Sequence, residues 1–151
     1  MGPGLAFGLV CIVFSLGLSY SIAGERGTPI RVAVSGSAFS VGEQIELQVF
    51  NESNSPVFVS GCGSVQIEVL VDEHYESLPP VHCEEEGKAR ALPVGQSILP
   101  MIAPAGLSGQ TGRALVVFGI GCTAARRLSR ARCSDFRTVW SANFRVKPAP
   151  G

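Results

Sequence analysis

Apolar side chains in this chain recur at every second residue rather than at every third or fourth. Ile45, Leu47 and Val49 alternate with Gln44, Glu46 and Gln48, and Val65, Ile67, Val69 and Val71 alternate with Gln66, Glu68 and Asp72. A strand points successive side chains to opposite faces, so these runs predict half-buried strands, each with one side committed to a core. Trp140, Ala142, Phe144 and Val146 alternate in the same way with Ser141, Asn143, Arg145 and Lys147. Read as one strand, this segment places the indole in the core, and a slip of one residue would expose it and bury two cations.

Four more segments have strand character: Ile30 to Val34, Pro56 to Val59, Ser97 to Ile102 and Arg113 to Ile120. The last is apolar on both faces, as a central strand would be. Turn chemistry separates the strands at Gly42, Asn51 to Pro56, Gly61 to Gly63, Pro79-Pro80, Gly95 and Gly106 to Gly112. No segment carries a sustained helical stripe. The predicted fold class is all-β, a single immunoglobulin-like antiparallel sandwich of about seven strands over residues 30–147. Residues 24–29 read as a flexible lead-in and 148–151 as a tail, because Pro148 and Pro150 cannot extend a ladder.

The segment before the sandwich has a different character. No charged side chain occurs from Met1 to Gly24, and the apolar run Leu5 to Leu18 has the length of a signal-peptide core, short of a membrane span. Small residues at Ser21 and Ala23 place cleavage between Ala23 and Gly24, making residues 1–23 a signal peptide and sending the chain to a secreted or periplasmic destination. The leading MGPG lacks the usual basic residue, so a retained anchor is the alternative, and membrane contact is expected only in that case. Val10 stands where a lipoprotein signal keeps a small residue before its cysteine, so Cys11 is not read as a lipidation site.

Four cysteines then remain, Cys62, Cys83, Cys122 and Cys133, an even set in an oxidising compartment. Neither C-x-x-C nor H-x-x-x-H spacing occurs among them, and no metal site is expected. Cys62 follows the third predicted strand and Cys122 the sixth, which are antiparallel neighbours in such a sandwich and so end at opposite ends of the sheet. A strand spans roughly 17–20 Å, and bridged Cα atoms lie within about 7 Å. The predicted pairs are therefore Cys62 with Cys83 and Cys122 with Cys133.

Twelve Lys+Arg balance twelve Asp+Glu, so the chain has no net field to hold a polyanion, which argues against nucleic acid as a partner. An apolar fraction of 46% argues against disorder. The neutrality hides a separation, with Glu68, Asp72, Glu73, Glu76 and Glu84 to Glu86 in one stretch and Arg126, Arg127, Arg130, Arg132 and Arg137 in another. Clustered arginines suit bidentate contact with carboxylate or sulfate, and equally suit a solvated loop.

The run Val41-Gly42-Glu43, then Asn51-Glu52-Ser53, Pro56-Val57, Gly61-Cys62-Gly63 and Trp140-Ser141-Ala142-Asn143-Phe144 resembles secreted bacterial immunoglobulin-like domains, over most of Arg31 to Lys147. The resemblance implies the sandwich and export, and it leaves function open. No cysteine falls within the second strand, so the inter-sheet disulfide of antibody-type domains cannot form. Some folds of this kind, the chagasin-like family among them, inhibit cysteine proteases through loops at one end. Their Asn-Pro-Thr-Thr-Gly and Arg-Pro-Trp motifs are absent here.

No constellation in the sequence points to catalysis. His82 adjoins Cys83, but a disulfide removes the nucleophilicity of a cysteine. Glu84 to Glu86 lack the alternation of a calcium loop. Gly119-Ile120-Gly121 precedes no helix and forms no phosphate cradle, and no cofactor is expected. The expected function is a non-catalytic interaction module that binds an unidentified protein or anionic glycan through loops at one end of the sandwich. Its candidate contacts are Asn51, Glu52, Ser53, Asn54, Arg126, Arg127, Arg130 and Arg132. A protease inhibitor is the alternative, and a hydrolase a more distant one. Asn51-Glu52-Ser53 also matches a glycosylation sequon.

Overall fold

A computed structural model describes residues 29–60, 64–79, 89–123, 132–148 and 150. These hold eleven strands: β1 (Ile30–Val34), β2 (Ala38–Ser40), β3 (Gln44–Asn51), β4 (Val57–Ser60), β5 (Val65–Val71), β6 (His74–Ser77), β7 (Ala89–Leu92), β8 (Gly95–Ile102), β9 (Thr111–Ile120), β10 (Asp135–Trp140) and β11 (Phe144–Lys147). No α-helix occurs among the described residues, and a short 3-10 turn spans Ala105–Leu107. The smaller sheet has the order β1-β3-β8, and all other strands belong to the larger one.

The eleven strands form seven passes of the chain. β4 meets β9 at Phe58↔Gly119, and β5 continues along the same flank of β9 from Val65↔Val116 to Val69↔Gly112. β6 pairs β5 and β7 pairs β4, which makes a fourth pass beside the third. β10 and β11 line the opposite flank of β9. The first pass divides between the sheets, since β1 pairs β3 antiparallel while β2 runs parallel to β11. Seven passes agree with the expected count, although the sequence reading reached it differently. In the sequence β4 and β5 count as two strands, and the pass formed by β6 and β7 leaves no alternating pattern.

The alternating residues meet between the sheets. Ile45, Leu47 and Val49 of β3 are fully buried, as are Ala114, Val116 and Phe118 of β9, and Val57, Val59, Ile67 and Val69 join the same cluster. Each large aliphatic or aromatic side chain buried here contributes about 1.5–3 kcal/mol. Phe39 of β2 meets Phe144 of β11 edge to face, with centroids 5.8 Å apart. This contact ties the divided first pass to the last one.

The segment read as one strand from Trp140 to Val146 is two strands. Trp140 lies opposite Leu115 and Phe144 opposite Gly112, so four steps on one strand match three on β9. The extra residue is a β-bulge, which reverses which face the later side chains occupy. Phe144 and Val146 enter the core as expected, but Trp140 is 40% exposed on the outer face of the larger sheet, contrary to expectation. Ser141 is buried at the bulge with its polar groups satisfied. Its N–H donates to the Ala114 carbonyl at 2.8 Å, and its Oγ accepts from the Ala114 N–H at 2.9 Å and donates to the Ala142 carbonyl at 2.8 Å. A residue with both a hydroxyl donor and acceptor is what a break in a buried ladder requires.

Candidate functional site: the loop end of the sandwich

Strand register brings three connections to one end. Asn51 lies opposite Gly95, which sets the turn between β7 and β8 beside the loop that leaves β3. Phe58 lies opposite Gly119, which sets the far side of that loop beside the exit of β9. Residues 52–56 and 93–94 and the two ends of the connection after β9, 121–123 and 132–134, therefore lie at one end of the sandwich, as expected from the sequence for the first and last of them.

Asn51 holds two of these connections. It is 1% exposed, and its Nδ2 donates to the Ser55 carbonyl at 2.9 Å and to the Pro93 carbonyl at 3.3 Å. Its Oδ1 accepts from the Ser53 N–H at 3.1 Å and from the Ser53 hydroxyl at 2.6 Å. This is an asparagine turn stapled to a second loop, the conformation that short amide side chains favour after a strand. Both Nδ2 hydrogens are used inside the protein, so in the folded chain the sequon offers no amide to a sugar. Asn51 is a positioning residue, whereas Glu52 and Asn54 are exposed and Ser53 is half-buried.

The Glu52 N–H donates to the Pro29 carbonyl at 2.6 Å, and its carboxylate pairs with Arg31 at 2.5 Å. The Arg31 guanidinium also lies over the Phe50 ring at 5.0 Å. Both partners of this pair are about half exposed, which limits its worth to stability and fits a role in orienting the loop. At the adjacent turn Val94 is 53% exposed, an apolar tip that the sequence reading did not single out.

The third connection is closed at its base. Cys122 and Cys133 form a disulfide, as predicted, and this leaves no Cys122 thiol for Cys62. The Thr123 N–H donates to the Arg132 carbonyl at 2.9 Å, and the N–H and hydroxyl of Ser134 both donate to the Ile120 carbonyl at 3.0 Å. Gly121 has φ +58°, and a Cβ there would displace the Ser134 hydroxyl from its bond to the Ile120 carbonyl, so this entry to the loop favours glycine. Arg132 is exposed beside the disulfide. Arg126, Arg127 and Arg130 lie outside the described residues, as do Cys62 and Cys83 and the whole predicted signal peptide.

The acids of the predicted charge separation have different surroundings. Asp72 and Glu73 form the turn between β5 and β6, at the opposite end of the molecule. Glu68 pairs with Arg113 at 2.6 Å on the outer face of the larger sheet, with both side chains largely buried. The Arg113 guanidinium stacks 3.6 Å from the Tyr75 centroid and 5.3 Å from that of Trp140, and the Tyr75 hydroxyl donates to Asn143 Oδ1 at 2.7 Å. Glu68 and Trp140 thus brace the outer face beside the bulge.

Among the described residues no three His, Cys, Asp or Glu side chains are grouped to hold a metal ion, and no helix is long and apolar enough to cross a membrane. No protein-family model matches the chain, and no curated protein or solved structure matches it at a significant level.

Proposed function

We propose that this chain is an immunoglobulin-like interaction module of an extracytoplasmic compartment, binding a protein or anionic glycan through the loop end of its sandwich. The supporting observation is the convergence of three connections there, two joined by Asn51 and the third closed by a disulfide. Loops ordered before binding lose less conformational entropy when a partner arrives. The immunoglobulin-like reading draws on the divided first pass, the parallel pairing of β2 with β11, and the position of these loops, which is where variable-type domains carry their recognition loops. The Cys122–Cys133 bond fits an oxidising compartment. Such a module needs no catalytic group.

The test immobilises the full chain and passes over it a panel of sulfated and uronic-acid glycans, and separately the proteins of the source organism's envelope and medium. A ligand retained by the wild type and lost by the Glu52→Ala/Asn54→Ala variant, with thermal unfolding unchanged, supports the reading. A ligand held equally by both proteins moves the site away from this end.

A further inference from the structure

We infer that the free edge of β8 is a homodimer interface, on which a second copy of this chain adds its own β8 antiparallel about a two-fold axis. Three of the four large apolar side chains exposed among the described residues lie on β8 or the turn leading into it: Val94, Ile98 at 44% and Ile102 at 56%. One side of β8 pairs with β3 over eight residues, from Gln44↔Ile102 to Asn51↔Gly95, and no described strand pairs with the other side.

The direction of the free backbone groups follows from the ladder. The Ala103 N–H donates to the Glu43 carbonyl, extending the register by one residue. Antiparallel residues alternate between facing the partner strand and facing away. Residues 97, 99 and 101 therefore bond to β3, while Gln96, Ile98, Pro100 and Ile102 turn their backbone groups to the free edge. The Ile98 carbonyl does face that way, since the Arg90 guanidinium of β7 donates to it at 3.1 Å.

This row of donors and acceptors is complementary to itself in one register. With Gln96 opposite Ile102 of the second copy, and Ile98 opposite Pro100, the Gln96 and Ile102 backbones exchange both bonds. The Ile98 N–H then donates to the Pro100 carbonyl. Proline cannot return a hydrogen bond to the Ile98 carbonyl, but that oxygen already holds the Arg90 hydrogen bond. The one missing donor thus coincides with the one acceptor already satisfied, and no backbone group on the edge is orphaned. On the outer face the same register sets Ile98 beside the second copy's Pro100, joining the apolar side chains of the two edges into one row. The contact is isologous and closes at two copies.

Sedimentation velocity over a dilution series of the full chain tests this, with far-UV circular dichroism and thermal unfolding as fold controls. The wild type sediments as a reversible dimer at high micromolar concentration. Ile98→Lys/Ile102→Lys, which alters two side chains already exposed, and Gln96→Pro, which removes a donor only the dimer uses, each raise the dissociation constant by at least about tenfold. Trp140→Ser, on the other sheet, leaves it unchanged. Arg90→Ala weakens the dimer, because the Ile98 carbonyl loses its donor where proline faces it. A wild type that is monomeric throughout the series would overturn the inference. So would a dimer indifferent to the β8 variants, one lost in Trp140→Ser, or association increased by Arg90→Ala, the last showing that Arg90 shields the edge.

Discussion

The two ends of the sandwich are closed by different chemistry. At the end holding Gly42 and the Ala105–Leu107 turn, the connections are closed mostly by the main chain, with the Glu43 carboxylate accepting from the Ser40 N–H at 2.6 Å. Gly42 N–H donates to the Ala103 carbonyl, Glu43 N–H to Ser40, Gly109 N–H to Val146 and Gln110 N–H to Leu107. Few side chains are needed for this, and the turns are tight. At the loop end side chains are added to main-chain bonds such as that from Thr123 N–H to the Arg132 carbonyl: the Asn51 amide, the Ser53 and Ser134 hydroxyls and the Cys122–Cys133 bond. A loop held by a few of its own side chains frees their neighbours to face solvent in a fixed arrangement, which is what recognition requires. The difference is what favours the loop end in the proposed function.

Removing the side-chain closures one at a time tests that contrast. The largest effect is expected for Cys122→Ser/Cys133→Ser. Losing the constraint on the loop should cost about 3 kcal/mol in the chain-entropy model, measured as a lower urea midpoint with a slope that rises slightly as the unfolded chain expands. Next comes Asn51→Ala, which strips the donor from the Ser55 and Pro93 carbonyls. About 2 kcal/mol is expected, with faster amide exchange confined to residues 52–55 and 94. Ser141→Ala removes the acceptor for the buried Ala114 N–H at the bulge and should cost about 1 kcal/mol in the same titration. The smallest effect belongs to the main-chain-closed end. Asp72→Asn/Glu73→Asn keeps residues that tolerate φ of +44° and +68°, and stability should move by less than about 0.5 kcal/mol. A loss at that turn as large as the loss at Asn51 would remove the distinction between the ends.

Much of the fold was legible because burial follows period two wherever strands run unbroken. β3 and the inner face of β9 bury the side chains that their alternation marks, and β5 buries Ile67 and Val69 with Val65 and Val71 half-buried at its ends. Interruptions were harder to see. The bulge between Trp140 and Phe144 leaves the alternating pattern intact in the sequence while reversing faces in space, so the indole was assigned inward. β6 (His74–Ser77) and β7 (Ala89–Leu92) are short and largely exposed at a sheet edge, with too few apolar residues to show a period. At the candidate site, Asn51 was found as a sequon and a turn residue, but the Pro93 carbonyl it reaches is 42 positions away, and no local pattern reports that partner. The cysteine pairing was legible for Cys122 and Cys133 because a short closed loop is compatible with almost any sheet that brings its ends together.

Peptide mapping without reduction extends the same comparison to the middle of the larger sheet. Ser60 lies opposite Ala89, and the Leu78 N–H donates to the Ile67 carbonyl, so the connections containing Cys62 and Cys83 begin and end on neighbouring passes. A Cys62–Cys83 peptide is expected, and free thiols at both positions would contradict the pairing.

The central claim is that one end recognises a partner and the other does not, and binding by variants of both ends addresses it most directly. With a captured ligand, affinity and its salt dependence are measured for Arg126→Ser/Arg127→Ser/Arg130→Ser/Arg132→Ser at the loop end and for Asp72→Asn/Glu73→Asn at the other. The account predicts weaker binding and a flatter salt slope for the first variant and wild-type values for the second. Unchanged affinity and slope in the arginine variant, with its fold intact, would contradict it.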